Sequence, residues 1–231
     1  DFENPQDANS DNVYELTVQV SDGTVQAIQN LNVSVTGINE PPVFTSQPNW
    51  NVPEGQATVG ELNASDPDYD SIAYSIAYGD DQALFDLNAT TGILSFKNVP
   101  DFENPQDANS DNVYELTVQV SDGTVQAIQN LNVSVTGINE PPVFTSQPNW
   151  NVPEGHATVG ELNASDPDYD SITFSIAYGD DQALFDLNAT TGILSFKNVP
   201  DFENPQDANS DNVYELTVQV SDGTVQAIQN L

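Results

Sequence analysis

The chain has 231 residues, in which 36 aspartates and glutamates stand against two lysines or arginines, for a formal charge of −34. Such a polyanion repels nucleic acid and anionic lipid surfaces, whose recognition needs a basic patch, and its natural counter-ion is a cation. The lack of cysteine excludes a disulfide scaffold or a thiolate metal site, and no apolar run is long enough for a membrane-spanning helix.

Self-similarity sets the domain count. Residues 1–100 recur as 101–200, differing only in Gln56/His156, Ala73/Thr173 and Tyr74/Phe174, and 201–231 begin a third copy. The most linker-like segment is Gly37-Ile38-Asn39-Glu40-Pro41-Pro42, repeated at Gly137 to Pro142, because paired prolines fix φ and remove the donors a sheet needs. Division there predicts the C-terminal part of one domain at 1–41, a complete domain at 42–141, and a third at 142–231.

In the complete domain, short strands are expected at 43–45 and 57–62, on either side of the turn Pro53-Glu54-Gly55. The acidic turn Ser65-Asp66-Pro67-Asp68 follows. Ile72, Tyr74 and Ile76 then alternate with Ala73 and Ser75, the period of a strand with one face on a core. After Gly79-Asp80-Asp81 come short strands at 85–87 and 93–96, separated by the Thr91-Gly92 turn. Tyr114, Leu116, Val118 and Val120 alternate with polar residues up to Ser121-Asp122-Gly123, and Leu131, Val133 and Val135 repeat the pattern. About seven short strands without a periodic helix predict an all-β, Greek-key β-sandwich in tandem copies. The strand 131–136 has no counterpart after Leu231, which predicts a third domain lacking its last strand, through a cut in the chain or a strand supplied by a neighbour.

Hard cations such as calcium take six to eight oxygen ligands, and the oxygen-rich turns and linkers offer Glu54, Asp66, Asp68, Asp101, Glu103, Asp122, Asn139 and Glu140. Neither Asp66–Asp70 nor Asp107–Asp111 is an EF-hand: the sixth positions are Ser71 and Asn112 rather than glycine, and the twelfth Ala77 and Val118 rather than glutamate. The Asp107–Asp111 insertion is a candidate for an additional ion. His156 is the only histidine and replaces Gln56, so no zinc or general-base role belongs to the repeat, and no enzymatic activity is expected. Trp50 and Trp150 are expected to close the end of a sandwich rather than to recognise sugar.

Together, Pro53-Glu54, the Asp66/Asp68 pair, Thr91-Gly92-Ile93-Leu94, Asp101-Phe102-Glu103, the run from Tyr114 to Asp122-Gly123, and Asn139-Glu140-Pro141-Pro142-Val143-Phe144 resemble tandem cadherin-type domains of the kind found in large repetitive bacterial surface adhesins. The resemblance covers essentially the whole chain. It implies a cadherin- or immunoglobulin-like sandwich with Ca2+ between successive domains. One junction would use Asp1, Glu3, Asn39, Glu40, Asp66, Asp68 and Asp122. The next would use Glu54, Asp101, Glu103, Asn139, Glu140, Asp166, Asp168 and Asp222. Gly137 departs from the aspartate usual at that place in the family, and Glu140 and Pro141 replace further polar ligands, which implies two or three ions per junction.

On this resemblance the expected function is a calcium-rigidified extender on a bacterial cell surface, projecting a distal ligand-binding region of a biofilm-type adhesin. The domains would be monomeric, with neighbouring repeats as their partners. The alternative is that the domains themselves mediate calcium-dependent adhesion, homophilic or to carbohydrate.

Overall fold

The alternating segments become strands in the computed structural model, which describes all residues from Asp1 to Leu231. Two units divide it, Asp1–Gly137 and Ile138–Leu231. The first opens with a hairpin, β1 (Val13–Ser21) and β2 (Gln26–Ser34), paired antiparallel from Val13 opposite Ser34 to Ser21 opposite Gln26. A sandwich follows, made of β3 (Val43–Phe44), β4 (Asn49–Pro53), β5 (Thr58–Glu61), β6 (Ala64–Ser65), β7 (Ala73–Tyr78), β8 (Phe85–Leu87), β9 (Ile93–Phe96), β10 (Val113–Ser121) and β11 (Gln126–Thr136).

One sheet has the order β4-β11-β10-β7 and another β5-β9-β8, with β3 paired to β6. These nine segments are seven strands, since the first two are each broken. Pro48 lies between β3, which pairs with β6, and β4, which crosses over to pair parallel with β11 from Asn49–Asn132 to Pro53–Thr136. β4 was not among the expected strands, which left 46–52 unassigned ahead of the turn Pro53-Glu54-Gly55. Helix is confined to single 3-10 turns, Gln82–Leu84 here and Gln182–Leu184 in the second unit, and no helix is long and apolar enough to cross a membrane.

The core lies between the sheets. Val52, Tyr74, Tyr114, Leu116, Val118, Val120, Leu131, Val133 and Val135 meet Leu62, Phe85, Leu94 and Phe96, all under a tenth exposed. Burial of each aliphatic side chain of this kind contributes ~1.5–3 kcal/mol. Phe96 stacks at 4.5 Å on Phe85 and meets Tyr114 edge-on at 5.0 Å. Trp50 packs on this core as expected, and its ring lies so close over Gly60 that a Cβ there would stand 2.2 Å from it.

The second unit repeats the plan with β12 (Val143–Phe144), β13 (Thr158–Glu161), β14 (Ala164–Ser165), β15 (Thr173–Tyr178), β16 (Phe185–Leu187), β17 (Ile193–Phe196), β18 (Thr217–Ser221) and β19 (Gln226–Asn230). Its sheets run β15-β18-β19, β13-β17-β16 and β12-β14. Residues 149–153, identical in sequence to β4, are not a strand here. The chain is thus all-β and mostly antiparallel, a tandem of β-sandwiches.

Candidate metal centre

Three short segments of the first unit bring carboxylates together, and each is fixed by its own backbone. Asp66 folds the acidic turn: its Oδ1 accepts the N–H groups of Asp68 at 2.9 Å and Asp70 at 3.2 Å, and Tyr69 adopts a left-handed φ of 63°. At Ser121-Asp122-Gly123, Asp122 Oδ1 accepts the N–H of Thr124 at 2.6 Å and of Val125 at 2.8 Å. The linker then docks on both. Glu40 donates its N–H to Asp68 Oδ2 at 2.8 Å, and Asn39 Nδ2 donates to Asp122 Oδ2 at 2.7 Å.

Carboxylate oxygens of Glu3, Glu40 and Asp68 lie within 4.8 Å of one another at this place. Glu40 Oε2 and Asp66 Oδ2 are buried with no hydrogen-bond partner, a costly arrangement for an acceptor unless something else satisfies it. Burial, followed by the neighbouring charges of Asp68 and Asp66, pushes the Glu40 carboxyl above its ordinary value. Asp122 goes the other way, held well below the usual carboxylate range by the Asn39 amide and then by the Thr124 and Val125 N–H groups. This set of hard oxygen donors, under-supplied with protons and hydrogen bonds, suits a divalent cation such as calcium. Asp1 is not among the three converging carboxylates; its Oδ1 accepts the Glu3 N–H at 3.3 Å.

The remaining expected ligands are built alike within their own units. In the first, Glu54 is 4% exposed, its Oε2 accepting the Phe102 N–H at 2.8 Å, while Asp101 Oδ1 accepts the Asn104 N–H at 3.1 Å and Glu103 is half-buried. In the second, Glu140 donates its N–H to Asp168 at 2.8 Å and Asn139 its amide to Asp222 at 2.9 Å. Asp166 repeats the Asp66 turn, again with a buried Oδ2 lacking a hydrogen-bond partner. Asp222 is held low by Asn139 first.

The linker glycines lie against aromatic rings. A Cβ at Gly37 would stand 2.8 Å from the Phe2 ring and at Gly137 3.1 Å from Phe102, so a larger residue at either place needs the exposed ring beside the Asp-Phe-Glu acids to shift.

Two features escaped the sequence reading. Glu154, Asp201 and Glu203 bring carboxylate oxygens within 4.8 Å of one another; the signal was the repeat itself, since they stand one cassette after Glu54, Asp101 and Glu103. Asp81, 1% exposed, accepts the N–H of Ala108 and of Glu115, both at 2.8 Å, and so ties the loop after Glu103 to β10. In that loop Asp107 accepts the N–H groups of Asp111 at 2.8 Å and Asn112 at 3.3 Å, and Asp111 accepts from Val113 at 2.9 Å. These carboxylates serve the main chain of an acidic turn.

No protein-family model matches the chain. Among known proteins, protocadherin Fat 4 of Homo sapiens is 31% identical over 219 residues, which cover 86% of this chain and 4% of that protein. Protocadherin-15 of Mus musculus is 31% identical over 92% of the chain and 11% of its own length, and cadherin-99C of Drosophila melanogaster 31% over 93% and 13%. The chain therefore spans a small part of the relatives it matches. The solved EC1-2 fragment of human protocadherin-24 superposes with a TM-score of 0.53 at 24% identity, covering 84% of this chain and 94% of that one. The EC3-6 fragment of protocadherin gammaB7, described as a cis-dimer, gives 0.56 at 21%, covering 97% and 60%.

Cadherin and protocadherin repeats thus match the chain over most of its length. The same findings correct the expectation of a bacterial, biofilm-type surface adhesin with a passive extender region: the homologues and structural neighbours are animal cadherins and protocadherins. The motifs quoted for the resemblance describe turns and acidic linkers that any cadherin-type repeat needs, and they carry no information about lineage.

Proposed function

We propose that this chain is a run of cadherin-type domains from an extracellular protein and that the domains themselves mediate calcium-dependent adhesion. The observation that carries the reading is the meeting of Glu3, Glu40 and Asp68 around buried carboxylate oxygens of Glu40 and Asp66 that have no hydrogen-bond partner. Like charges so placed repel unless a cation neutralises them. Calcium would be held there by Glu3, Glu40, Asp66 and Asp68, with Asn39 and Asp122 completing the polar wall and Asp1 beside it. By identity of sequence and local setting, Glu54, Asp101 and Glu103 in the first unit, and Asn139, Glu140, Asp166, Asp168 and Asp222 in the second, are proposed to bind calcium in the same way.

The extracellular assignment follows from affinity. Calcium sites of extracellular modules bind at roughly 10⁻⁴–10⁻³ M, which is useful only where calcium is plentiful. Similarity to cadherins and protocadherins supports adhesion by the domains.

Beads coated with the chain provide the test, mixed in millimolar calcium and in EDTA, with a glycan array probed in parallel. Aggregation with calcium and dispersal in chelator is the expected homophilic result, and calcium-dependent glycan capture would place adhesion on carbohydrate. Isothermal titration showing no calcium uptake, or beads indifferent to calcium on every surface, would overturn the reading.

A further inference from the structure

The complete sandwich carries three Asn-X-Ser/Thr tripeptides, the acceptor pattern for N-linked carbohydrate on exported chains: Asn63-Ala64-Ser65, Asn88-Ala89-Thr90 and Asn132-Val133-Ser134. The fold treats them differently. Asn132 lies within β11 between two neighbouring strands, opposite Asn49 of β4 and Glu115 of β10. Asn63 stands between β5 and β6, its Nδ2 donating to the Glu61 carbonyl at 3.3 Å and its own carbonyl accepting the Thr45 N–H at 2.8 Å. Ser65 is tied into β6 opposite Val43.

Asn88 instead closes the hairpin between β8 and β9. Its N–H donates to the Ile93 carbonyl and its carbonyl accepts the Gly92 N–H, both at 2.9 Å, and Gly92 turns the chain at a φ of 70°. Asn88 Oδ1 accepts the N–H groups of Thr90 and Thr91 at 3.0 Å each. These bonds engage the oxygen alone, and residues 88–91 are all exposed. The second unit repeats the arrangement, with Asn188 Oδ1 accepting from Thr190 and Thr191 at 3.0 Å and residues 188–191 exposed.

The turn accounts for the asparagine oxygen and not for the rest of the tripeptide. Of residue 90 it asks only an N–H, which any residue except proline supplies, yet a threonine stands there whose exposed hydroxyl takes no part in the hydrogen bonds of the turn. Two donors on Oδ1 also polarise the carboxamide and make its remaining N–H more acidic. We propose that Asn88 and Asn188 are acceptors of N-linked oligosaccharide, and that Asn63, Asn132 and Asn163 are not. The inference rests on the extracellular reading, since the donor meets only exported chains.

The donor is a sugar carried on a lipid pyrophosphate. Asn88 Nδ2 attacks its C1, the C1–O bond breaks as the N–C1 bond forms, the pyrophosphate leaves with the electron pair, and one Nδ2 proton passes to a base of the transferring enzyme. The product keeps Oδ1 and both of its main-chain donors, so the hairpin folds with the sugar as without it. Because β8 is the outer strand of the β5-β9-β8 sheet, carbohydrate at its end screens an edge that like strands of other copies could extend.

Secretion of the 231-residue chain from cultured animal cells behind a cleavable signal sequence tests the inference, read by N-glycosidase digestion in heavy-oxygen water and peptide mass mapping. Positions 88 and 188 should become labelled aspartate, and 63, 132 and 163 should not. Thr90→Ala with Thr190→Ala keeps the main-chain donors of the turn and should abolish the label at 88 and 188, with the Tm of the deglycosylated chain unchanged; Thr90→Ser with Thr190→Ser should retain the label. A secreted, folded chain unlabelled at 88 and 188, label persisting there without the two hydroxyls, or label at 63, 132 or 163 in their place would each overturn the proposal. None of these results depends on calcium, so the adhesion reading stands or falls by its own titration.

Discussion

Replacing Asp81 by alanine removes the tether between the ligand-bearing loop and the sheet. Asp81 is 1% exposed and its two oxygens accept the Ala108 and Glu115 N–H groups at 2.8 Å each. Hydrogen bonds to a charged group contribute ~1.5–3 kcal/mol apiece, and alanine leaves both donors unserved, for a gross loss of roughly 3–6 kcal/mol. Part is returned, because the Asp81 charge is among those that push Glu115 above its ordinary value after burial and Asp111. A net destabilisation of about 3 kcal/mol is expected, a fall in Tm of roughly 12–24 °C for a domain of this size.

Trp50 and Trp150 belong to different units, so a Trp150→Phe background makes the melt report the first sandwich alone. Asp81→Asn, which keeps one acceptor, should fall between the parent and Asp81→Ala. A loss under about 1 kcal/mol would mean that water serves the two amides and that the carboxylate is not what holds the loop.

Glu40→Gln should act in opposite directions with and without metal. The folded chain pushes the Glu40 carboxyl up, so ionised Glu40 opposes folding in EDTA and its neutral replacement should raise Tm there, while calcium titration should show affinity lower by about tenfold for the lost charge. The pH dependence has two signs: the stability that Asp22, at about 2, and Asp122 and Asp222, lower still than their usual range, contribute is present above the ordinary aspartate value and lost as pH falls through the folded values. Glu40, shifted upward, takes a proton sooner, so calorimetry should find calcium binding weakening as pH drops from 7 toward 5. Gly92→Ala places a Cβ 2.3 Å from the Leu62 carbonyl at a φ of 70° and should cost about 2 kcal/mol or more in urea unfolding.

Local signals carried most of the fold. The alternation at 114–120 and 131–135 is a period-two pattern that only a half-buried strand satisfies, and both segments lie in strands, β10 and β11. β4 was hidden because prolines at 48 and 53 bracket it and its partner lies some eighty residues away in parallel register. No local pattern encodes that kind of pairing. Carboxylates in turns were visible as candidates, and the structure brings Glu3, Glu40 and Asp68 together, yet their local supports were not legible. Asp81 looked like one more acid in a Gly-Asp-Asp turn, and only three-dimensional packing reveals it as an amide acceptor beneath the loop.

The linker hydrogen bonds recur at equal spacings, Asn39 to Asp122 and Glu40 to Asp68, then Asn139 to Asp222 and Glu140 to Asp168. In each pair both residues lie in the linker or in the sandwich that follows it. Insertion or deletion of a whole 100-residue period, as unequal recombination of near-identical coding segments would produce, hands every new boundary the same donors and acceptors. Gene length can therefore drift by whole periods while the hydrogen-bond inventory of every seam is inherited intact.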